Sequence, residues 1–252
     1  MANLQTYSNK LVGRHVLIVG LGETGWSCLR FIADSGVVST VRVIDSRSAP
    51  PRLADLKSAY PTVNFSSGFD VSALADADLL VVSPGIDLRE PIFDEARSRG
   101  VEIIGDIELF AWHVAAPVLA VTGSNGKSTV VTLLEDMARE DGLRVAAGGN
   151  LSPPALSILD DQIELYVLEL SSFQLELTET LSPCAAVVLN VSADHMDRHG
   201  SLEIYAGLKA KIYQGAQHCV INRDDSLCSE MVIGEAHTLD YSLADDADYS
   251  LV

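Results

Sequence analysis

Apolar positions along the chain switch repeatedly between two periods. Runs with buried-strand character cover residues 15–20, 41–45 and 78–83, while residues 24–34, 52–60 and 90–99 carry apolar side chains at helical spacing. Gly100, just past the last of these, predicts a left-handed helix terminus. A second series starts at Pro117, with a strand over 118–121, a glycine loop, and a helix whose Val130, Leu133, Leu134 and Met137 share one face. Further strands are predicted at 166–169, 186–190, 219–222 and 237–241, and a helix over about 202–213. Strands alternating with helices predict an α/β fold of parallel sheets covered by helices. The break between two such domains is expected near Ala115 and Ala116, giving domains over 1–115 and 116–252, the second without an obvious closing element. No solenoid repeat or low-complexity tract interrupts them.

At 252 residues and 48% hydrophobic composition, the chain has enough apolar surface for two real cores. A net charge of −18 without any basic run speaks against nucleic acid as a partner. An anionic ligand must therefore be held by local devices, namely helix N-termini and single placed cations. Residues 1–10 are polar, and the first apolar run is too short for a membrane span, so the expected location is cytoplasmic without membrane insertion. Cys28, Cys184, Cys219 and Cys228 are scattered, which predicts reduced buried fillers and neither zinc nor a disulfide framework.

The sharpest motif is Thr122-Gly123-Ser124-Asn125-Gly126-Lys127-Ser128-Thr129 between an apolar strand and a helix. Glycines let the backbone N–H groups turn inward on a phosphate, Lys127 adds a charge, and Ser128 or Thr129 can reach a magnesium ion. The loop is shorter than the common P-loop, because Val121 stands where that pattern has glycine. Gly20-Leu21-Gly22-Glu23-Thr24-Gly25 follows the first strand, and Asp45 closes the next. Alone, that pairing fits NAD, another nucleotide diphosphate, or a purely structural turn. Glu169 ends a buried strand where magnesium needs an oxygen ligand, and His195 follows the strand over 186–190 toward the same edge. A zinc pair of His195 and His199 is rejected, since Met196 replaces the glutamate base and Gly200 ends the helix. By pattern alone, Lys209 and Lys211 read as the solvated face of their helix.

Taken in order, these pieces resemble the Mur ligases. TGSNGKST marks the family, while GLGETGWS, SPGI at 83–86, GDIELF at 105–110, GGN at 148–150 and ELSSFQLE at 169–176 resemble the members that add D-glutamate. The resemblance implies a Rossmann-like first domain and a P-loop ATPase-like central domain. It assigns UDP-N-acetylmuramoyl-L-alanine to Leu21, Thr24, Asp45, Arg47, Ser83, Pro84, Gly85, Asn150, Ser171 and Gln174. ATP falls to Gly123, Ser124, Asn125, Gly126, Lys127, Ser128 and Thr129. Two magnesium ions are implied, with Ser128, Glu169, His195 and a carbamylated Lys209 as ligands; Lys127, His195 and Lys209 are the implied catalytic set. The implied enzyme is a monomer that forms an acyl phosphate and then an amide with D-glutamate in peptidoglycan precursor synthesis. A further domain that closes over ATP is implied outside this chain, which alone is expected to bind substrate without ligating. The rivals are a non-catalytic nucleotide-binding fragment and an NAD-dependent oxidoreductase joined to an ATPase domain.

Overall fold

The computed structural model describes residues 9–231, 236–244 and 247–250. The chain divides into two compact units, residues 1–113 and 114–252.

The first unit runs β1 (His15–Val19), α1 (Glu23–Ser35), β2 (Thr40–Asp45), α2 (Leu53–Ala59), β3 (Asn64–Ser67), β4 (Leu79–Val82), α3 (Pro91–Ser98), β5 (Glu102–Gly105) and α4 (Asp106–Ala111). Its sheet is parallel in the order β3-β2-β1-β4-β5. Order therefore reverses beside β1, and such a switch point opens a crevice at the carboxyl ends of the strands. Val16 to Val19 and Leu79 to Val82 are buried on both faces, which is why they read as continuous apolar runs. Helix α1 lays Cys28, Leu29 and Ile32 against them and stops at Gly36, whose φ of 66° ends it left-handed.

The second unit runs β6 (Val118–Thr122), α5 (Lys127–Glu140), β7 (Val145–Gly149), β8 (Leu165–Glu169), α6 (Ser172–Glu176), β9 (Ala185–Val188), α7 (Met196–His199), α8 (Leu202–Ala210), β10 (His218–Asn222), α9 (Ser226–Ser229), β11 (His237–Ser242) and β12 (Tyr249–Ser250). These strands make one parallel sheet, β12-β11-β10-β9-β6-β8-β7, with β6 at the point where order reverses.

Helix α5 corrects one expectation. Its sheet-facing side is centred on Val131, which is fully buried against Val121 and Val167, with Val130 and Leu134 packed beside it. Leu133 and Met137 instead stand 56% and 67% exposed. Five apolar residues within one helix define two overlapping stripes, and the sheet takes the one containing Val131. The cysteines are all free, three of them buried and Cys184 half-buried.

Candidate functional site

In the first unit the switch point is built by close approach. A Cβ at Gly25 would lie 1.9 Å from the Gly20 carbonyl oxygen, so α1 can start this near β1 only with glycine there. Gly20 has φ of 96°, and Ser83 Oγ donates to its carbonyl at 3.1 Å. Ser83 N–H also donates to Val19, and Ile86 N–H to Ser83, so the turn through Pro84 and Gly85 lies beside the glycine turn.

Asp45 is fully buried and accepts four hydrogen bonds. Leu21 N–H (2.7 Å) and Arg47 Nη2 (2.8 Å) reach Oδ2, while Arg47 N–H (2.9 Å) and Nε (2.8 Å) reach Oδ1. Burial alone would raise this carboxyl, but the bonds from Arg47 and Leu21 outweigh it and hold it below the usual range. A carboxylate has about four lone-pair sites, so none is left for a ribose diol of the dinucleotide type. The same bond gives the Leu21 N–H its role in the structure, fixing the Asp45 carboxylate against the glycine turn. The first turn of α1, with Thr24 in it, begins at Gly22 without a side-chain cap. Glu23 pairs with Arg52 at 2.6 Å.

In the second unit the glycine loop follows β6. Gly123 (φ 154°) and Gly126 (φ 82°) give the curl, and Gly126 starts α5. The Asn190 amide clasps the loop: its Oδ1 accepts from Asn125 N–H at 2.9 Å and its Nδ2 donates to Asn125 O at 3.0 Å. Ser124 Oγ donates to Ser192 O and accepts from Ser192 N–H. Lys127 Nζ donates to the carbonyls of Gly123 (3.0 Å) and Ser124 (3.1 Å).

Lys209 donates to that same Gly123 carbonyl at 2.9 Å, with Thr122 Oγ1 at 3.4 Å and the Tyr205 ring centroid at 4.5 Å. Only 1% of Lys209 is exposed, so it is no solvated helix lysine. Burial first and the Lys127 charge second lower its amine to about 7. Lys211 is half-buried and is tied down rather than solvated, donating to Glu179 and to Glu176 O. Among the described residues neither Lys127 nor Lys209 has a carboxylate ion-pair partner.

Glu169, at the end of β8, is held between two side chains. Ser128 Oγ donates to Oε2 at 2.6 Å and Asn150 Nδ2 to Oε1 at 2.7 Å. A Cβ at Gly149 would lie 2.4 Å from the Glu169 carbonyl oxygen, so glycine lets β7 deliver Asn150 here. Ser171 and Gln174 form a capping box on α6, and each uses its side chain on the other. His195 is exposed, with φ of 53°, its Nε2 3.5 Å from Asp194 Oδ2 and its ring 5.1 Å from Phe173. No hydrogen bond among the described residues joins it to Glu169 or Lys209. His199 is the buried histidine: Nε2 lies 3.0 Å from Ser172 Oγ, and the ring stacks on Phe173 and tilts against Tyr205. Burial, then the neighbouring His195, Arg198 and Lys209 charges, lower its pKa. Among the described residues no three His, Cys, Asp or Glu side chains gather as a metal cluster.

Thr129 is exposed in the first turn of α5. Thr122 and Asn190 open sequence motifs but carried no assigned role, and Tyr205 was not singled out from sequence, although it stands one helical turn before Lys209, the spacing that puts two side chains on one face.

A glycine loop at a sheet switch point, with lysines that lack ion pairs and a strand-end carboxylate beside its first helical hydroxyl, is the arrangement of a P-loop-like α/β domain; it follows a Rossmann-like one. The chain belongs to the Mur ligase family: the model described as Mur ligase middle domain matches residues 121–251, and that described as Mur ligase MurD-like, N-terminal domain, matches residues 14–105. The chain is 53% identical over 218 residues to a UDP-N-acetylmuramoylalanine–D-glutamate ligase of Nitrosococcus oceani, covering 86% of this chain and 48% of that protein. The enzyme of that name from Escherichia coli is 50% identical over 216 residues, 85% of this chain and 48% of the relative. The chain thus spans about half the length of the curated relatives it matches. In fold it is similar to the UDP-N-acetylmuramate:L-alanyl-gamma-D-glutamyl-meso-diaminopimelate ligase of Neisseria meningitides, with TM-score 0.60, 17% identity, and coverage of 91% of this chain and 78% of that one. The UDP-N-acetylmuramate-alanine ligase of Thermotoga maritima gives TM-score 0.53 at 21% identity, covering 94% of this chain and 54% of that one.

Proposed function

We propose that this chain carries the UDP-substrate-binding and ATP-binding domains of an ATP-dependent ligase that joins D-glutamate to UDP-N-acetylmuramoyl-L-alanine. The observation that carries the reading is the convergence of Lys127 and Lys209 on one carbonyl of the glycine loop, beside a Ser128–Glu169 pair. Lys127, a lysine without a carboxylate partner among the described residues, suits a polyphosphate, and Lys209 beside it is the site of the carbamate described below. The identity to D-glutamate ligases supports the particular substrates.

In this reading the residues of the loop, 123–129, take the ATP phosphates. The L-alanyl carboxylate attacks the γ-phosphorus and ADP leaves. The amine of D-glutamate then attacks the acyl phosphate, forming an amide and releasing phosphate. Lys127 turns from its resting carbonyls to the charge that develops on the transferred group. Ser128 and Glu169 offer the hydroxyl and carboxylate oxygens that magnesium prefers, and bound there the ion neutralises phosphate charge. A carbamate on Lys209 has a physical basis in its buried amine near neutrality: the neutral nitrogen bonds to the carbon of CO2 and loses a proton, leaving an anionic oxygen donor. His195 as a ligand, and a second ion, rest on the family resemblance. Leu21, Thr24, Arg47 and residues 83–85 form the uridine-nucleotide side, Asp45 acting by holding Leu21 and Arg47; Asn150, Ser171 and Gln174 order the strand ends near Glu169. We further assign a monomer in the cytoplasm; among the described residues no helix is long and apolar enough to cross a membrane.

Calorimetry on this chain tests the reading. UDP-N-acetylmuramoyl-L-alanine and ATP with magnesium should each bind, and Lys127→Ala should weaken ATP about a hundredfold or more while leaving the UDP-substrate unaffected. Binding of NAD as tight as that of the UDP-substrate would overturn it.

A further inference from the structure

The Gly20 turn, Asp45 and Ser83 all lie at carboxyl ends of strands. At the amino-terminal edge of the same sheet is a cavity of about 490 Å³ that none of the roles above uses. Its wall includes His15, Thr40 and Asn64, the first residues of β1, β2 and β3, with Ser39, Arg42 and Asp76. The length of β1 separates this edge from the glycine turn by about 13 Å, at about 3.3 Å per residue. The volume falls in the range of small-molecule sites.

Arg42 is the anomaly on that wall. It sits on β2, in register with Leu17 on one side and Asn64 on the other. Its Nη2 is buried and has no hydrogen-bond partner among the described residues. This occurs in a chain with 35 acidic residues against 17 Lys and Arg, where a carboxylate partner is easy to supply. Arg14 shows the usual outcome, pairing with both Asp78 and Glu102. The residue as a whole is only half-buried and makes no ion pair among the described residues, so its other guanidinium nitrogens are free to donate to an oxyanion held against this wall, while Nη2 itself stays out of a ligand's reach. Two further polar groups are pre-set beside it: His15 Nδ1 lies 2.9 Å from Thr40 Oγ1, which fixes the ring and the hydroxyl together.

We propose that this cavity binds a small oxyanion, a carboxylate or phosphate group whose oxygens accept from the Arg42 guanidinium. Asp76, on the same wall, accepts from a hydroxyl or ammonium of the same ligand. The ligand class is a compact hydroxylated or aminated acid or phosphate ester. The site lies at the opposite sheet edge from the glycine turn of its own unit and does not depend on the ligase reading.

The test is a titration of the chain, labelled with ¹⁵N at histidine and saturated with ATP and magnesium so that the glycine loop is occupied. Inorganic phosphate and malate are added in separate arms while the His15 ring signals are followed. A saturable His15 shift is expected with at least one anion, lost in Arg42→Met, which keeps the aliphatic stem. A response to phosphate alone assigns a phosphate ester; a response to malate alone assigns a carboxylic acid. Arg42→Lys keeps charge and stem, and should bind about tenfold more weakly for want of the guanidinium fork. This variant decides the matter if the methionine one does not fold. Absence of a saturable shift with both anions, a shift that survives Arg42→Met, or full affinity in Arg42→Lys would each overturn the assignment.

Discussion

At the corner over residues 20–25 the nearby cations are already answered. Arg47 grips Asp45 through two side-chain bonds, and Arg52 grips Glu23 and Asp55. At the corner over residues 122–129 the cations are not: Lys127 and Lys209 share the Gly123 carbonyl and have no ion pair among the described residues. Both corners share one grammar, an apolar strand, a glycine turn and a helix start. The first is left close to neutral and can select by backbone shape; the second keeps Lys127 without an ion pair, available to a polyphosphate. Similar motifs thus lead to different ligands through what surrounds them.

The largest expected effect removes the unanswered charge. Lys209 is held near 7 when folded against 10.5 for the free side chain, so the unfolded chain binds more protons between those values. Stability contributed at this position therefore rises with pH across that window, and its burden is complete below 7. In CO2-free buffer, Lys209→Met should be more stable than the parent by about 2–3 kcal/mol at pH 6.5, and the gap should shrink toward pH 10. Urea denaturation at both pH values measures it; a gap independent of pH would mean that the amine titrates alike folded and unfolded, its charge answered within the fold, and that the two corners differ less than argued.

Next comes shape. Gly25→Ala must displace the Gly20 carbonyl, at about 2–3 kcal/mol, whereas Gly22→Ala, with open space around its Cβ, should cost less than about 1 kcal/mol. Equal losses in thermal denaturation would break the view that this corner selects by close approach. The smallest effect concerns Asp45→Asn, which turns an amide N–H toward the donors of Arg47 or Leu21. A loss of about 1–2 kcal/mol is expected at pH 7, with weaker UDP-substrate binding. Because the Asp45 carboxyl is held below its unfolded value, its stabilisation is present above about pH 4 and fades as pH falls through the folded value, so the gap should close in acid.

The strands that carry the two corners were legible because they are buried on both faces and read as unbroken apolar runs. Strand β3, Asn-Phe-Ser-Ser, and β7, Val-Ala-Ala-Gly-Gly, escaped notice because each is an edge strand with few large apolar residues. The phosphate loop was legible from local chemistry, since its glycines and lysine are contiguous. The partners of Glu169 and Lys209 were not, because they come from chain segments far away in sequence. Asn150 reaches Glu169 only through the glycine approach of β7, and Lys209 reaches Gly123 across 86 residues. Period alone could not choose the buried stripe of α5, because Leu133 and Met137 fit a helical face as well as Val131 does.

The Asn190 clasp has a consequence for motion. One side-chain amide both accepts from and donates to the backbone of Asn125, tying the loop to the chain just past β9 across 65 residues. The loop cannot fray without releasing that strand end, so the two open as one cooperative unit. A nucleotide that grips the loop then slows amide hydrogen exchange at positions on β9 that it never touches, and the sheet itself records occupancy of the site.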